Sequence, residues 1–486
     1  MLGAWGKPGG HGEARLRDSC ETQLTRGFAL RASLSREAME AATTTAPGPA
    51  ARLPERGLPP SPPLPKAVQT AIWSRQARRL LYACQDRYGD IFTIRVAYEG
   101  TWVMLADPAA IKQVFTGDPK VFHAGEGNEI LAPLLGRNSL LVLDEKRHMS
   151  QRKLLLPPFH GSRMQGYAQT MAEIAEREIE AWPTGTPYEL RPRMQALTLE
   201  IILRTVFGVG GEEAGKLTAL REALREFLDM TTNPRFLLPM LMAGPRRIRG
   251  VAPFRRRIDR VDELIYREIA ERRRAGDVEE RDDVLSMMIG ASHEDGSPMS
   301  DEEMRDELLT LLVAGHETTA TSLSWAVERL TRNPEKLERL RAEVLEGREE
   351  YLTATIQETL RLRPVISIVL RRLTEPVEIG GYELPAGVSV APCIYLVHRN
   401  PEIYPEPERF LPERFLENPP GTYTWIPFGG GVRRCLGASF AQFEMTVVLK
   451  ELVKRHQIRP SNPKPERIFR RAITETPRNN AEVILS

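Results

Sequence analysis

The stretch that most constrains this chain runs from Ser300 to Arg332. Ser300 and Glu303 have the spacing of a capping box, and Asn333-Pro334 supplies a stop. A helix of that length spans roughly 50 Å at about 1.5 Å per residue, enough to cross a whole domain. Leu308 to Val313 is apolar almost all round, so the middle of the helix is expected to be buried on every side. Into that middle falls Ala314-Gly315-His316-Glu317-Thr318-Thr319. A glycine and two threonines can open a helix locally, and a carboxylate in such a place is costly unless it serves a purpose.

A second stretch carries complementary chemistry. Pro427-Phe428-Gly429-Gly430-Gly431-Val432-Arg433-Arg434-Cys435-Leu436-Gly437 sets one cysteine behind two arginines, just before an apolar-periodic run from Ala438 to Val453. This is a tight loop delivering a sulfur to a helix start. Helix N-termini and neighbouring cations lower a thiol's pKa, and a coordinating metal deprotonates it outright. A buried, inert core cysteine is the usual alternative. It does not require three glycines around the sulfur.

Several classes are excluded. His316-Glu317 has the start of a zinc-hydrolase helix, but Ala320 stands where its second histidine belongs. No glycine-rich nucleotide fingerprint occurs, so the chain has no nicotinamide or flavin domain of its own. The 67 basic and 65 acidic residues nearly cancel, which points to no nucleic-acid partner. Four scattered cysteines (Cys20, Cys84, Cys393, Cys435) suggest a reduced, cytoplasmic setting. No apolar run reaches the length of a transmembrane anchor, and the first thirty residues lack a signal peptide's apolar core.

Along the chain, residues 1–58 read as a disordered or poorly packed extension ending in a proline-rich lead-in, and 59–486 as the folded domain. A helix over 67–88, strands over 90–96 and 102–106, and a helix capped by Asp107-Pro108 come next. The weakly patterned 117–137 stretch is marked as a substrate-contacting segment. A polar helix over 143–153 carries His148 and Arg152 on one face. Helices are expected over 162–182, 190–207, 212–230 and 255–275, with an apolar patch (Phe236–Met242) and clustered arginines between the last two. Glu358 and Arg361 on a helix over 353–362 read alone as an ordinary surface ion pair. Strands are expected over 365–370 and 388–393, and a terminal hairpin over 471–486.

Taken together, Phe428-x-x-Gly431-x-Arg433-x-Cys435-x-Gly437, Ala314-Gly315-x-Glu317-Thr318, Glu358-x-x-Arg361 and Pro412-Glu413-Arg414-Phe415 resemble the cytochrome P450 family of haem-thiolate monooxygenases. The resemblance covers about residues 59–486. It implies haem b (iron protoporphyrin IX) with Cys435 as the iron's proximal ligand, Phe428 packed near the sulfur and Gly431 shaping the loop. It implies that Arg433, His148, Arg152 and Arg371 hold the propionates, although the family often has tryptophan where His148 stands. Gly315 would leave room for dioxygen, and Glu317 and Thr318 would be the acid–alcohol pair that delivers protons. Glu358, Arg361 and Arg414 would form a structural triad, with Arg409 in the first Pro-Glu-Arg-Phe copy as the alternative to Arg414.

The expected fold is mainly α (α+β), a large helical domain with a smaller β-rich part. The expected reaction inserts one oxygen atom of O2 into an apolar small molecule such as a fatty acid, terpenoid or steroid. Electrons would come from a separate ferredoxin and ferredoxin reductase, or a flavodoxin-type donor, docking on a basic face made by Lys153, Arg361, Arg363 and Arg434. The resemblance also suggests a monomer. A peroxide-using haem enzyme and a non-catalytic haem sensor are the competing readings.

Overall fold

The computed structural model of the protein describes residues 57–97, 99–159, 161–208, 217–231 and 251–486. The expected N-terminal extension, up to residue 56, and the Phe236–Met242 patch lie outside these residues.

In chain order, α1 (Lys66–Tyr88) leads to the hairpin of β1 (Ile91–Val96) and β2 (Gly100–Leu105), then to α2 (Pro108–Thr116). Asp107 caps α2 by accepting the Ala110 N–H, as the Asp-Pro signal predicts. The 117–137 stretch folds into β3 (Phe122–His123), α3 (Ala124–Gly127) and α4 (Ala132–Leu135). Elements of two to four residues leave no periodicity to read. Next come α5 (Glu145–Leu155), α6 (Ser162–Glu180), β4 (Tyr188–Glu189), α7 (Leu190–Phe207), α8 (Thr218–Thr231), α9 (Ala252–Ala275) and α10 (Val284–Gly290). The long helix α11 (Asp301–Thr331) follows, with its capping box closed in both directions.

Beyond it lie α12 (Pro334–Leu345), α13 (Glu350–Leu362), β5 (Arg371–Leu373), β6 (Val377–Ile379), β7 (Tyr382–Leu384), β8 (Ser389–Pro392), α14 (Ile394–Val397) and α15 (Arg414–Glu417). The chain ends with α16 (Ala438–Arg455), β9 (Ile458–Pro460), β10 (Ile468–Arg471), β11 (Thr474–Pro477) and β12 (Glu482–Leu485).

Helix α11 is the axle. It packs against α7, α16, α13 and α9, and the main core cluster includes Met171, Leu203, Leu312, Leu323 and Leu449 from these and neighbouring helices. Burying each such side chain contributes about 1.5–3 kcal/mol. The β-rich part is a five-stranded sheet ordered β1-β2-β8-β5-β3, with β2 and β8 parallel and the other pairs antiparallel. Among the described residues no helix is long and apolar enough to cross a membrane.

Two strand expectations need correcting. Val365–Leu370 makes no ladder. Its backbone partners alternate, Val365 accepting from Glu475 and Val369 donating to Pro392, so the strand begins only at Arg371. The terminal hairpin is β10–β11 alone. Asn480 and Ala481 take positive φ (57° and 53°) and turn the chain away, and β12 pairs with β9 and β4 instead.

Candidate active site

The loop before α16 is held by its own backbone: Cys435 N–H donates to the Phe428 carbonyl at 2.9 Å. Gly429 and Gly431 sit at φ 67° and 63°, conformations that favour glycine, and a Cβ on Gly431 would run into the Phe115 carbonyl of α2. Phe428 packs edge-on to Trp425, centroids 6.2 Å apart. The loop thus carries Cys435 to a point three residues before α16 begins.

Cys435 has an accessible side chain, yet protein surrounds it deeply enough for burial to push its thiol up. The two facts fit a sulfur that faces an internal space and not bulk solvent. The Gly437 N–H and the cations of Arg152 and Arg434 pull the other way, as a site meant for a thiolate requires.

On α11 the core pattern breaks where the sequence expects it. Leu308, Leu309 and Leu312 are buried, as is the run from Thr319 to Val327, but Ala314 is exposed and Thr318 half-buried. Thr318 and Thr319 donate their hydroxyls back to the Ala314 and Gly315 carbonyls, at 2.7 and 2.9 Å. Gly315 also serves the packing of two helices. The place of its missing side chain is filled by Ile202 of α7, so the glycine permits close helix packing.

The Glu317 carboxylate turns toward α7, where Arg191 and Gln195 donate to its two oxygens. This ion pair is almost fully buried, and no spacing in the sequence announces it, because Arg191 lies 126 residues away. His316 is buried, with its ring against the Leu312 carbonyl, which fits a packing role.

A third group lines a small pocket and includes Phe115, Asp144, His148, Arg371 and Arg433. Arg371 is buried with one carbonyl partner, Leu370, and burial beside Arg433 pushes it down to about 9. His148 is buried too; burial, with Arg433 and Arg152 nearby, pushes it down to about 3, so it is neutral. Arg433 donates to the Leu140 and Leu143 carbonyls and to Asp144, pinning the approach to α5. Arg152, one turn past His148, is close enough to Cys435 to feel its charge.

A family model described as Cytochrome P450 matches residues 58–483. The chain belongs to the cytochrome P450 family. It is a haem-dependent monooxygenase. A protein of Mycobacterium tuberculosis named putative cytochrome P450 135B1 is 46% identical over 433 residues, 88% of this chain and 91% of that one. Putative cytochrome P450 138 of Mycobacterium bovis is 38% identical over 456 residues, 92% of this chain and 99% of that one. Among solved structures, a retinoic acid-bound cyanobacterial CYP120A1 superposes with a TM-score of 0.75 at 24% identity, covering 89% of this chain and 99% of that one. That likeness speaks to the fold alone.

The residues present fit the P450's cofactor. Among the described residues no group of three or more His, Cys, Asp or Glu side chains could hold a metal ion, and an iron that comes within a porphyrin needs only one protein ligand, which Cys435 can be. Arg371 and Arg433 share one nearby carboxylate, Asp144, and Arg152 adds a further cation beside Arg433. Buried cations left in excess are expensive until an anionic group such as a propionate joins them.

The expected triad is assembled, but it is no surface pair. Glu358 and Arg361 are fully buried in a bidentate contact at 2.6 and 2.8 Å, and Arg414 adds a third contact at 3.3 Å. Arg409 points outward to Glu406, so the second Pro-Glu-Arg-Phe copy supplies the arginine. Arg361 also donates to the His398 and Pro407 carbonyls, and the His398 ring accepts the Ile426 N–H just before the cysteine loop. His398 is a member that nothing in the sequence spacing signals.

The expected basic docking face shrinks accordingly. Arg361 is inaccessible, and the Arg363 guanidinium lies buried over Trp325. Lys153 is exposed and paired with Glu294 at 2.6 Å, while Arg434 remains exposed.

Proposed function

We propose that the enzyme oxygenates a medium-to-large apolar molecule of the fatty acid, terpenoid or steroid class. The observation that carries this reading is the open patch at Ala314 and Thr318 in the middle of a buried helix. Leu311 and Val313 on the same helix, and Ile366 and Ile368 on the 365–370 segment, are partly accessible and apolar, and would supply lining that rewards an apolar ligand.

Cys435 would hold the haem iron, with Phe428 and Gly431 fixing the loop, and Arg371, His148, Arg152 and Arg433 would receive the propionates. Haem so held supplies oxygen activation, the thiolate's electron density favouring O–O cleavage. Thr318, half-buried beside the open patch, would hold the proton that cleavage consumes, and Glu317 would supply it from its seat between Arg191 and Gln195. Because Glu317 is held toward α7, proton delivery requires its carboxylate or a water beside it to swing toward Thr318.

Electrons would come from a ferredoxin and its reductase, or a flavodoxin-type donor, near Arg434. A cytoplasmic, reducing location suits an enzyme that depends on a free Cys435 thiolate. The test is a spin-state titration of the purified holoprotein against fatty acids, terpenes and steroids. A saturable shift with one class identifies the substrate. Shifts only with small charged molecules would overturn the apolar reading.

A further inference from the structure

His123 lies outside every motif and sits at a junction. It is in β3, paired with β5 so that His123 faces Arg372, next to Arg371. Its imidazole reaches the other way, to the start of α5, the helix that carries His148 and Arg152. Nδ1 is 2.9 Å from Glu126 Oε1 and 3.8 Å from Asp144 Oδ2, and Nε2 is 3.0 Å from Glu145 Oε1.

Ionised carboxylates only accept hydrogen bonds. Both ring nitrogens can be satisfied here only if both donate, which means the imidazolium form. Glu145 is held in this contact at φ 49°, a conformation side chains rarely adopt, and the neighbouring Asp144 takes the Gly125 and Glu126 N–H groups and Arg433. One imidazolium thus joins the sheet edge bearing Arg371 to the helix bearing His148 and Arg152.

We propose that His123 is a positioning residue for the haem edge, keeping Arg371 and the α5 groups in one constellation while its ring is protonated. This rests on the reading that these groups receive the propionates.

The charged groups facing the ring are Glu126 from α3 and Asp144 and Glu145 from the start of α5, with Arg433 behind Asp144, while Arg372 is its backbone partner on β5. The carboxylates outweigh the burial that opposes them, and the imidazole's pKa lies above the usual histidine value. A raised value means the contact is complete below about pH 6.5 and is lost as pH rises through the folded-state pKa. Without the second proton, one nitrogen confronts a carboxylate oxygen as acceptor against acceptor.

The experiment is haem transfer from the holoprotein to excess apomyoglobin, followed by the Soret change from about pH 6 to 9. The native protein should release haem about two- to fivefold faster at the alkaline end, the scale of a partly exposed ion pair. His123→Gln should release haem at a nearly constant rate matching the native alkaline rate, with circular dichroism reporting its fold. A native-like pH profile in His123→Gln overturns the proposal. Arg371→Ala, run in parallel, should speed release at every pH. If it does not, the propionate assignment fails, and the His123 comparison still reads separately.

Discussion

Arg361 offers the sharpest quantitative test of how the cysteine loop is supported. Replacing it with alanine removes both bonds to Glu358, where neither side chain has accessible surface, and the donors to the His398, Pro407 and Arg409 carbonyls, the last two only partly buried. Breaking a buried ion pair by deleting one partner costs about 3–5 kcal/mol. Each carbonyl left without its donor adds up to about 1–3 kcal/mol where water cannot enter. Arg414 and the Leu411 N–H still neutralise part of Glu358, so the lower end of the sum applies, at about 4–6 kcal/mol. A protein at the lower end of the usual range of about 5–15 kcal/mol would then be close to unfolded. Urea denaturation followed by tryptophan fluorescence measures the loss, and the yield of haem-loaded protein reports its consequence. Arg361→Lys should recover only part, because an ammonium cannot make the bidentate contact. A loss below about 1 kcal/mol for Arg361→Ala would refute the reasoning, since it would place the pair in the energetic class of surface contacts.

Other consequences follow from the same geometry. Gly431→Ala meets both a positive φ and the Phe115 carbonyl, so it should sharply lower haem loading in pyridine haemochrome assays while the helical circular dichroism persists. Thr318→Ala should keep substrate binding but raise the peroxide released per reducing equivalent consumed, measured by a peroxide assay beside product formation. In the haem-free protein the neutral, buried His148 makes acid destabilising. Its folded pKa near 3 lies below the unfolded value, so its contribution is intact above about pH 6.5 and lost as pH falls toward 3. His148→Gln should therefore flatten part of the fall in melting temperature between pH 6 and 4. Reversing the exposed Arg434 to glutamate should slow electron transfer from an acidic ferredoxin, whereas an unchanged rate would move the docking face elsewhere.

Local rules were sufficient where the chain satisfies itself. The capping box and Asn333-Pro334 bracketed α11 to within a residue at each end, and the glycines around Cys435 marked a loop that does need positive φ. Asp107 capped α2 because its partner is three residues away. Legibility fails where the partner is remote. Glu317 and Thr318 are adjacent in sequence, but the turn of α11 and the arrival of α7 send the carboxylate to Arg191. Glu358 and Arg361 could be read as a surface pair because nothing local says that the 398–411 segment will cover them. The same blindness put Arg361 and Arg363 on a docking face. Val365–Leu370 has the composition of a strand, yet a strand needs a neighbour in register, and this one has two partial ones.

The central claim is that Cys435, as thiolate, is the iron's protein ligand. The most direct measurement is the absorption spectrum of the reduced, carbon monoxide-bound holoprotein, for the native chain and for Cys435→His. The account predicts a thiolate-type Soret band in the native protein and its replacement by a histidine-type band in the variant. A variant that keeps the thiolate-type band, or a native protein that never shows it, would contradict the assignment.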